Sequence, residues 1–153
     1  MSMIYLGYAY RDGSGVNKDL IQTENWYRRA ADAGSIMALY ELGILYIQQK
    51  RYDEAKQAFR FAAAAGYAPA IHQLGRMYCF GMGVEKDIRK AKTLWEDASA
   101  SGHIFATNHL GRLLIRTHLS TAEFVRGIFL IARSFVDIAI ALCVEGLGSD
   151  RFR

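Results

Sequence analysis

Four histidines have the clearest potential for chemistry, because imidazole can bind metals or transfer protons near neutral pH. They are His72, His103, His109 and His118. No His-Glu-x-x-His segment occurs, and no acid is spaced to share a metal with them. Cys79 follows His72 by two helical turns, which could lower the pKa of its thiol, but a structural thiol is the favoured interpretation. The pattern therefore predicts no metal site and no catalytic residue.

Two short glycine motifs could hold a phosphate group. Gly13-Ser14-Gly15 and Gly81-Met82-Gly83 lack the third glycine and the preceding strand of a dinucleotide-binding motif. Neither motif continues into Gly-Lys-Ser or Gly-Lys-Thr, as a phosphate-binding loop must. We interpret both as turns, so the sequence predicts no cofactor, no small-molecule substrate and no enzyme activity.

A third group of residues could bind a partner without catalysis. Its members are mainly aromatic, aliphatic or cationic, and they recur at matching positions of a repeating unit. We call this group the strip; it consists of Tyr8, Arg11, Met37, Tyr40, Ile44, His72, Arg76, Phe80, Asn108, Arg112 and Arg116. Tyrosine and arginine are enriched in binding hot spots, whereas an inert solvated face would carry more Lys, Glu and Ser. The strip is therefore predicted to be a binding surface.

The repeating unit that would position the strip is most complete between Gly66 and Gly102. Leu-Gly pairs occur at 6–7, 42–43, 74–75 and 110–111, which gives periods of 36, 32 and 36 residues. A fixed period in this range is typical of a solenoid.

Each unit is predicted to contain two helices. Ala70, Leu74 and Tyr78 fall on one side at about 100° per residue, and Asp87 is placed to cap the second helix. A glycine inside a helix, such as Gly75, costs about 1 kcal/mol of stability relative to alanine, so its presence needs a packing reason. We expect that another helix backbone crosses there and leaves no room for a Cβ. The helices are predicted at 4–11, 20–33, 36–48, 53–65, 70–80, 88–101 and 104–116.

These positions resemble the Sel-one-like repeat, a relative of the tetratricopeptide repeat. The matching skeleton is Gly66, Ala70, Leu74-Gly75, Tyr78, Gly81-x-Gly83-Val84, Asp87, Ala91, Trp95, Ala98 and Gly102. The likeness extends over about three quarters of the chain. The unit at 34–66 departs from it, because residues 48–54 replace the glycine loop and resemble a tetratricopeptide turn. The resemblance implies that the first helices line a concave face, which makes the strip a groove.

The predicted fold is an all-α, right-handed α-α solenoid of about four repeats with eight or nine helices. One domain spans 1–153, with repeats at 4–33, 34–65, 66–101 and 102–134 and a divergent helix and tail at 135–153. A composition of 52% hydrophobic and 22% charged residues is typical of a globular domain. Cys79 and Cys143 lie too far apart for one disulfide per repeat, and no signal peptide is visible. These observations favour a cytoplasmic protein, although a trimmed secreted chain is an alternative.

The apolar tract at 120–145 is the part that the repeat pattern describes least. Ser120-Thr121-Ala122-Glu123 is typical of a capping box. A turn near Ser134 would divide the tract into two helices, which we favour over one, with residues 145–148 as a further glycine loop. Arg133 and Asp137 near its centre outweigh its hydrophobic residues on an insertion scale, which argues against a membrane span. An apolar solenoid end needs a cover, so residues 124–144 are a candidate homo-oligomer contact.

The sequence thus favours a protein–protein interaction scaffold whose groove binds a peptide or helix of another protein. Three arginines, Arg76, Arg112 and Arg116, would meet an acidic, partly apolar segment of that partner. A basic nucleic-acid binder is the alternative suggested by a net charge of +4 and a pI near 9.1, but no base-reading triplet recurs. An oligomerising structural module is the other alternative.

Overall fold

The computed structural model describes residues 2–117 and 121–149, with side chains as far as Leu142. The described residues form eight helices and no strand. The helices are α1 (Met3–Asp12), α2 (Leu20–Asp32), α3 (Ile36–Gln48), α4 (Tyr52–Ala64), α5 (Ala68–Phe80), α6 (Ile88–Ala100), α7 (Ile104–Thr117) and α8 (Thr121–Ser149). Each helix packs against the next one along the chain. The predicted right-handed α-α solenoid is confirmed, and α1 to α7 begin and end within two residues of their predicted bounds.

The loops within a helix pair follow from local chemistry. At the end of α5, Gly81 takes a left-handed conformation with φ 69°, which glycine adopts without a Cβ penalty. Further along the same loop, the carboxylate of Asp87 accepts a hydrogen bond from the backbone N–H of Lys90 at 2.9 Å and caps α6. Between α3 and α4 the connection is only three residues long, and Lys50 takes the positive φ of 60° there. This short connection agrees with the missing glycine loop of the second repeat.

Glycines inside the first helices make room for aromatic rings of the second helices. A Cβ on Gly75 would collide with the indole of Trp95, whose Cδ1 would lie at 2.6 Å. A Cβ on Gly43 would likewise collide with the ring of Phe59, and a Cβ on Gly7 would collide with the ring of Tyr27. The prediction that Gly75 is a packing residue is therefore right, but its partner is a side chain and not a crossing backbone.

A backbone crossing does occur in the fourth repeat. There Ile131 occupies the place of the aromatic residue, and α7 and α8 approach more closely. A Cβ on Gly111 would lie 2.8 Å from the carbonyl oxygen of Gly127, and a Cβ on Gly127 would lie 2.7 Å from that of Gly111. The two glycines therefore allow this contact.

The C-terminal tract forms one helix of 29 residues, so the expectation of two helices is wrong. Ser134 does not break the helix, because its hydroxyl donates to the carbonyl oxygen of Ile131 at 2.8 Å, a bond that a helix tolerates. The glycine loop predicted at 145–148 lies within α8. Ser120 of the predicted capping box lies outside the described residues. Among the helices described, none combines the length and hydropathy needed to cross a bilayer.

Candidate functional site

The first helices of the repeats lie side by side and join the strip into one surface. Tyr8 on α1 donates its hydroxyl hydrogen to Glu41 on α3 at 3.1 Å. Gln73 on α5 donates to the hydroxyl of Tyr40 on α3 at 3.5 Å. The strip therefore extends from α1 to α7, but its members differ in how free they are to bind a partner.

The N-terminal part of the strip is largely occupied by its own contacts. Arg11 donates to Asp12 at 2.8 Å and to Glu41 at 3.1 Å, so its charge is already neutralised. Burial, together with the Glu41 carboxylate, raises the pKa of Tyr8 to about 12. Arg11 and Tyr8 thus form an internal network that holds α1 against α3.

The middle of the strip is mostly packing surface. Tyr40 contacts the rings of Phe59 and Tyr67, with centroids 5.9 and 5.5 Å away. Ile44 is half-buried against the core. Met37 is 48% exposed and is the freest apolar side chain of this part. Tyr40 and Ile44 therefore serve mainly to pack the helices together, whereas Met37 is exposed to solvent.

The C-terminal part of the strip opens into a pocket between α5 and α7. Two adjoining cavities of about 240 and 250 Å³ share four lining residues: Cys79, Phe80, Leu113 and Arg116. Trp95, His109 and Arg112 complete the lining of the first cavity, and Lys86, Ile88 and Thr117 that of the second. We call this pair of cavities the α5–α7 pocket. Three strip residues, Phe80, Arg112 and Arg116, meet there.

The rim of the α5–α7 pocket is cationic. Lys86, Arg112 and Arg116 line it, and both arginines are exposed. No carboxylate of the described residues lies within 4.0 Å of these three cations. Because the pocket wall contains no acid, the rim carries uncompensated positive charge that an anionic group could neutralise.

The remaining arginine of the strip lies beside this rim. Arg76 donates to the side chain of Gln73 at 3.0 Å and is half-buried. Its charge, like that of Arg112, lowers the pKa of His109 after the larger effect of burial. Arg76 therefore adds to the positive field near the pocket without lining it.

Asn108 serves the contact between the last two helices. Its side-chain amide donates to the hydroxyl of Ser134 on α8 at 3.2 Å. This bond accounts for its half-buried position, and it ties the strip residue to α8 instead of leaving it free for a partner.

Three histidines from two repeats meet beside the pocket, and one of them, His109, also lines it. His72 Nε2 lies 2.7 Å from His109 Nδ1, so the two rings share a hydrogen bond. The ring of His103 lies 4.9 Å from that of His72. Trp95 stacks on His109 at 5.2 Å and donates its indole N–H to the carbonyl oxygen of His72 at 3.1 Å. His118 lies outside the described residues.

This cluster was missed from the sequence, and it moves His72 out of the binding surface. His72 is only 6% exposed and belongs to the core. The repeat period could have revealed the contact, because His109 follows His72 by 37 residues, one more than the period. Among the residues described, no three His, Cys, Asp or Glu side chains are grouped to hold a metal ion.

Burial keeps the histidine cluster neutral. It lowers the pKa of His72 to about 3, with further lowering by His103, His109 and Arg76. The pKa values of His103 and His109 are lowered as well, chiefly by burial. Burial also raises the pKa of the Cys79 thiol, so this side chain is not an activated nucleophile. His109 and Cys79 therefore line the pocket as side chains that are neutral near neutral pH.

The depressed pKa of His72 predicts an acid-sensitive fold. An unfolded histidine binds a proton below about pH 6.5, whereas folded His72 stays neutral down to a pKa of about 3. The contribution of His72 to the free energy of unfolding should therefore be constant above about pH 6.5 and decrease as the pH falls towards about 3. At pH 5 the loss from His72 is about 2 kcal/mol.

Urea unfolding of the wild type and His72→Gln between about pH 5 and 8 measures this effect. The wild type should lose stability on acidification more steeply than the variant, because glutamine does not titrate. Both proteins contain the same carboxylates, so the effect of carboxylate titration on stability cancels in the comparison. Equal slopes would show that burial of His72 does not link the fold to pH.

The sequence is similar to a known protein family and to curated proteins. The Sel1 repeat family model matches residues 1–35 and 68–103. A 72-residue stretch is 36% identical to the ERAD-associated E3 ubiquitin-protein ligase component HRD3 of Candida glabrata. That stretch is 47% of this chain and 9% of the relative, so the chain spans a small part of this curated protein.

Solved structures give a match over most of the chain. The crystal structure of a Sel1 repeat protein from Oxalobacter formigenes superposes with a TM-score of 0.80 at 27% identity, covering 88% of this chain and 55% of that one. A protective antigen of uropathogenic Escherichia coli with an SLR fold superposes with a TM-score of 0.74 at 25% identity. It covers 88% of this chain, which in turn covers 30% of the antigen.

Proposed function

The chain is a Sel1-like repeat protein, and we propose that it binds an acidic, partly apolar segment of another protein in the α5–α7 pocket. Sel1 repeat proteins generally mediate protein–protein interactions and are generally not enzymes. The observation that carries the proposal is the unpaired cationic rim over an apolar floor, formed where two adjacent repeats meet.

The floor of the pocket suits an apolar side chain of the partner. Phe80 is 61% exposed at its edge, and Leu113 lies 8% exposed at its base. Each cavity is large enough to hold an aliphatic or aromatic side chain. Burying such a side chain contributes about 1.5–3 kcal/mol to binding before the entropic cost of ordering the segment.

The rim supplies the preference for acidic residues. Arg112 and Arg116 are one helical turn apart on α7, and Lys86, in the loop before α6, lines the second cavity together with Arg116. An exposed ion pair contributes up to about 1 kcal/mol, and a bidentate arginine–carboxylate pair in a partly closed pocket contributes more. A segment with a carboxylate beside an apolar residue satisfies both parts of the pocket.

The similarity to a ligase component supports an assembly role. The Candida glabrata relative is, by its name, a component of an E3 ubiquitin-protein ligase. For this chain we propose the corresponding general role, in which the solenoid holds a partner in a complex and performs no chemistry on it. That partner would be a protein that carries a segment whose sequence fits the pocket.

Selection from a displayed peptide library tests the proposal, because it identifies the sequences that the pocket prefers. The chain is immobilised, and enriched peptides are expected to contain Asp or Glu next to Leu, Ile, Val or Phe. Affinity of an enriched peptide should fall about tenfold or more for the double variant Arg112→Glu, Arg116→Glu. It should also fall with salt, because the rim charges are exposed.

A charge-matched variant serves as the control. Arg60→Glu with Arg89→Glu makes the same change in net charge at exposed positions of α4 and α6. This control should bind the peptide as well as the wild type does. Equal losses in both double variants would mean that only the overall charge matters, and enriched peptides without acids would contradict the proposed chemistry.

A further inference from the structure

The face of α8 that points away from α7 is apolar and exposed. It comprises Val125, Ile128, Phe129, Ala132, Phe135, Val136, Ala139 and Leu142, all of them exposed. We call these residues the α8 stripe. Phe129 and Val125 are 65% and 63% exposed, and Phe135 is 61% exposed. Contiguous apolar exposure of this kind marks an interaction surface more often than an inert one.

The stripe has the spacing of a helix–helix contact. Val125, Ala132 and Ala139 follow one another at intervals of seven residues. Ile128, Phe135 and Leu142 form a second series with the same interval, offset by three residues. Two such series at this offset are the apolar seam with which one helix packs along another helix. The small side chains of the first series allow the two backbones to approach closely.

The helix extends past the partner that it has within the chain. The bond from Asn108 to Ser134 is made near the N-terminal end of α7, which begins at Ile104. The helix α8 continues to Ser149, whereas α2, α4 and α6 have 13 residues each. About 20 Å of α8 therefore follows Ser134. The last members of the stripe, Ala139 and Leu142, therefore lie on the part of α8 that continues past the N-terminal end of α7.

We propose that a second copy of this chain covers the α8 stripe, with the stripe of each copy packed against that of the other. If all of its side chains are covered, the stripe contributes an area on the order of 800 Å² per copy, which at this upper limit matches the contribution that one partner makes to a standard stable interface. A two-fold dimer uses the same patch on both copies, so a self-complementary apolar seam suffices.

Charge favours a second copy over an anionic membrane surface. The cations that flank the stripe already have acidic partners: Arg126 lies 3.3 Å from Glu96, and Arg133 lies 3.7 Å from Asp137. A helix that binds a bilayer surface carries free Lys or Arg on its polar face to attract anionic lipid. The stripe itself contains no charged residue, so its partner should be apolar and uncharged as well.

Multi-angle light scattering after size-exclusion chromatography tests the dimer with the whole chain. The wild type should have twice the 17.2 kDa mass of the single chain. The double variant Phe129→Glu, Phe135→Glu should have a mass of 17.2 kDa, because its carboxylates would be buried in the dimer without partners. Phe61→Glu is the control, since Phe61 is 66% exposed on α4, away from the stripe. The Phe61→Glu variant should remain a dimer.

Three outcomes would overturn the proposal. One is a wild-type mass of 17.2 kDa at the highest soluble concentration. The second is a dimer that persists in the double variant while circular dichroism shows that it is folded. The third is a monomer that sediments with vesicles of anionic phospholipid, which would assign the stripe to a membrane surface. If the double variant is unfolded, Val136→Lys replaces it, and a folded Val136→Lys dimer contradicts the proposal.

Discussion

Replacing Gly75 by leucine is expected to lower the free energy of unfolding by about 3 kcal/mol. The new side chain would occupy the space of the Trp95 indole, which already lies within collision distance of a Cβ at this position. Displacing the ring also breaks its hydrogen bond to the carbonyl oxygen of His72. The gain of about 1 kcal/mol in helix propensity only partly offsets these losses.

Thermal denaturation measures the effect of this variant. A loss of about 3 kcal/mol corresponds to a decrease of about 10 °C in Tm for a chain of this size. Ala64→Leu introduces the same side chain at an exposed position of α4 and should leave Tm nearly unchanged. An unchanged or higher Tm for Gly75→Leu would show that this glycine has no packing role.

Gly127→Val should separate the last helix pair while leaving the first repeats folded. Its Cβ would lie 2.7 Å from the carbonyl oxygen of Gly111 and 2.9 Å from Cγ1 of Ile115. A backbone oxygen cannot rotate away as a side chain can, so α8 must move as a unit. We expect a loss of about 3 kcal/mol, confined to the α7–α8 contact because solenoid repeats are stabilised mainly by their neighbours.

Hydrogen exchange distinguishes this local loss from global destabilisation. In Gly127→Val, the amides of α7 and α8 should exchange faster, whereas those of α3 and α4 should keep their protection. Ala122→Val adds a valine at an exposed position of the same helix and should not change the exchange. Faster exchange along the whole chain would contradict a local role for the two glycines.

The sequence was sufficient to predict the helices and caps because these depend on local chemistry repeated at a fixed period. Asp87 caps α6 as predicted, and the Leu-Gly positions mark the helix contacts. The partner of each glycine could not be predicted in the same way. Whether Gly75 meets a ring or Gly111 meets a backbone depends on the residue that the second helix presents, Trp95 or Ile131, and on how far the helices then separate.

The C-terminal helix and the histidine cluster depend on packing that the repeat pattern does not specify. Ser134 could begin a new helix or hydrogen-bond within one, and in the structure its hydroxyl donates to the carbonyl oxygen of Ile131 and accepts from Asn108 on α7, contacts that the sequence pattern does not reveal. The contact of His72 with His109 joins adjacent repeats, and no short motif marks such a contact. Arg11 was predicted as a binding residue, yet its pairing with Glu41 could be seen only in three dimensions.

A double-mutant cycle between the chain and a selected peptide tests the proposed binding site most directly. Titration calorimetry would measure the affinity of two proteins, the wild type and Arg112→Met, for two peptides. The first is the selected peptide, and in the second the acidic residue is replaced by the corresponding amide. If the carboxylate lies on the rim of the α5–α7 pocket, the two changes should be coupled by about 1 kcal/mol or more. Strictly additive effects of the two changes would place the peptide carboxylate away from Arg112 and contradict the proposed site.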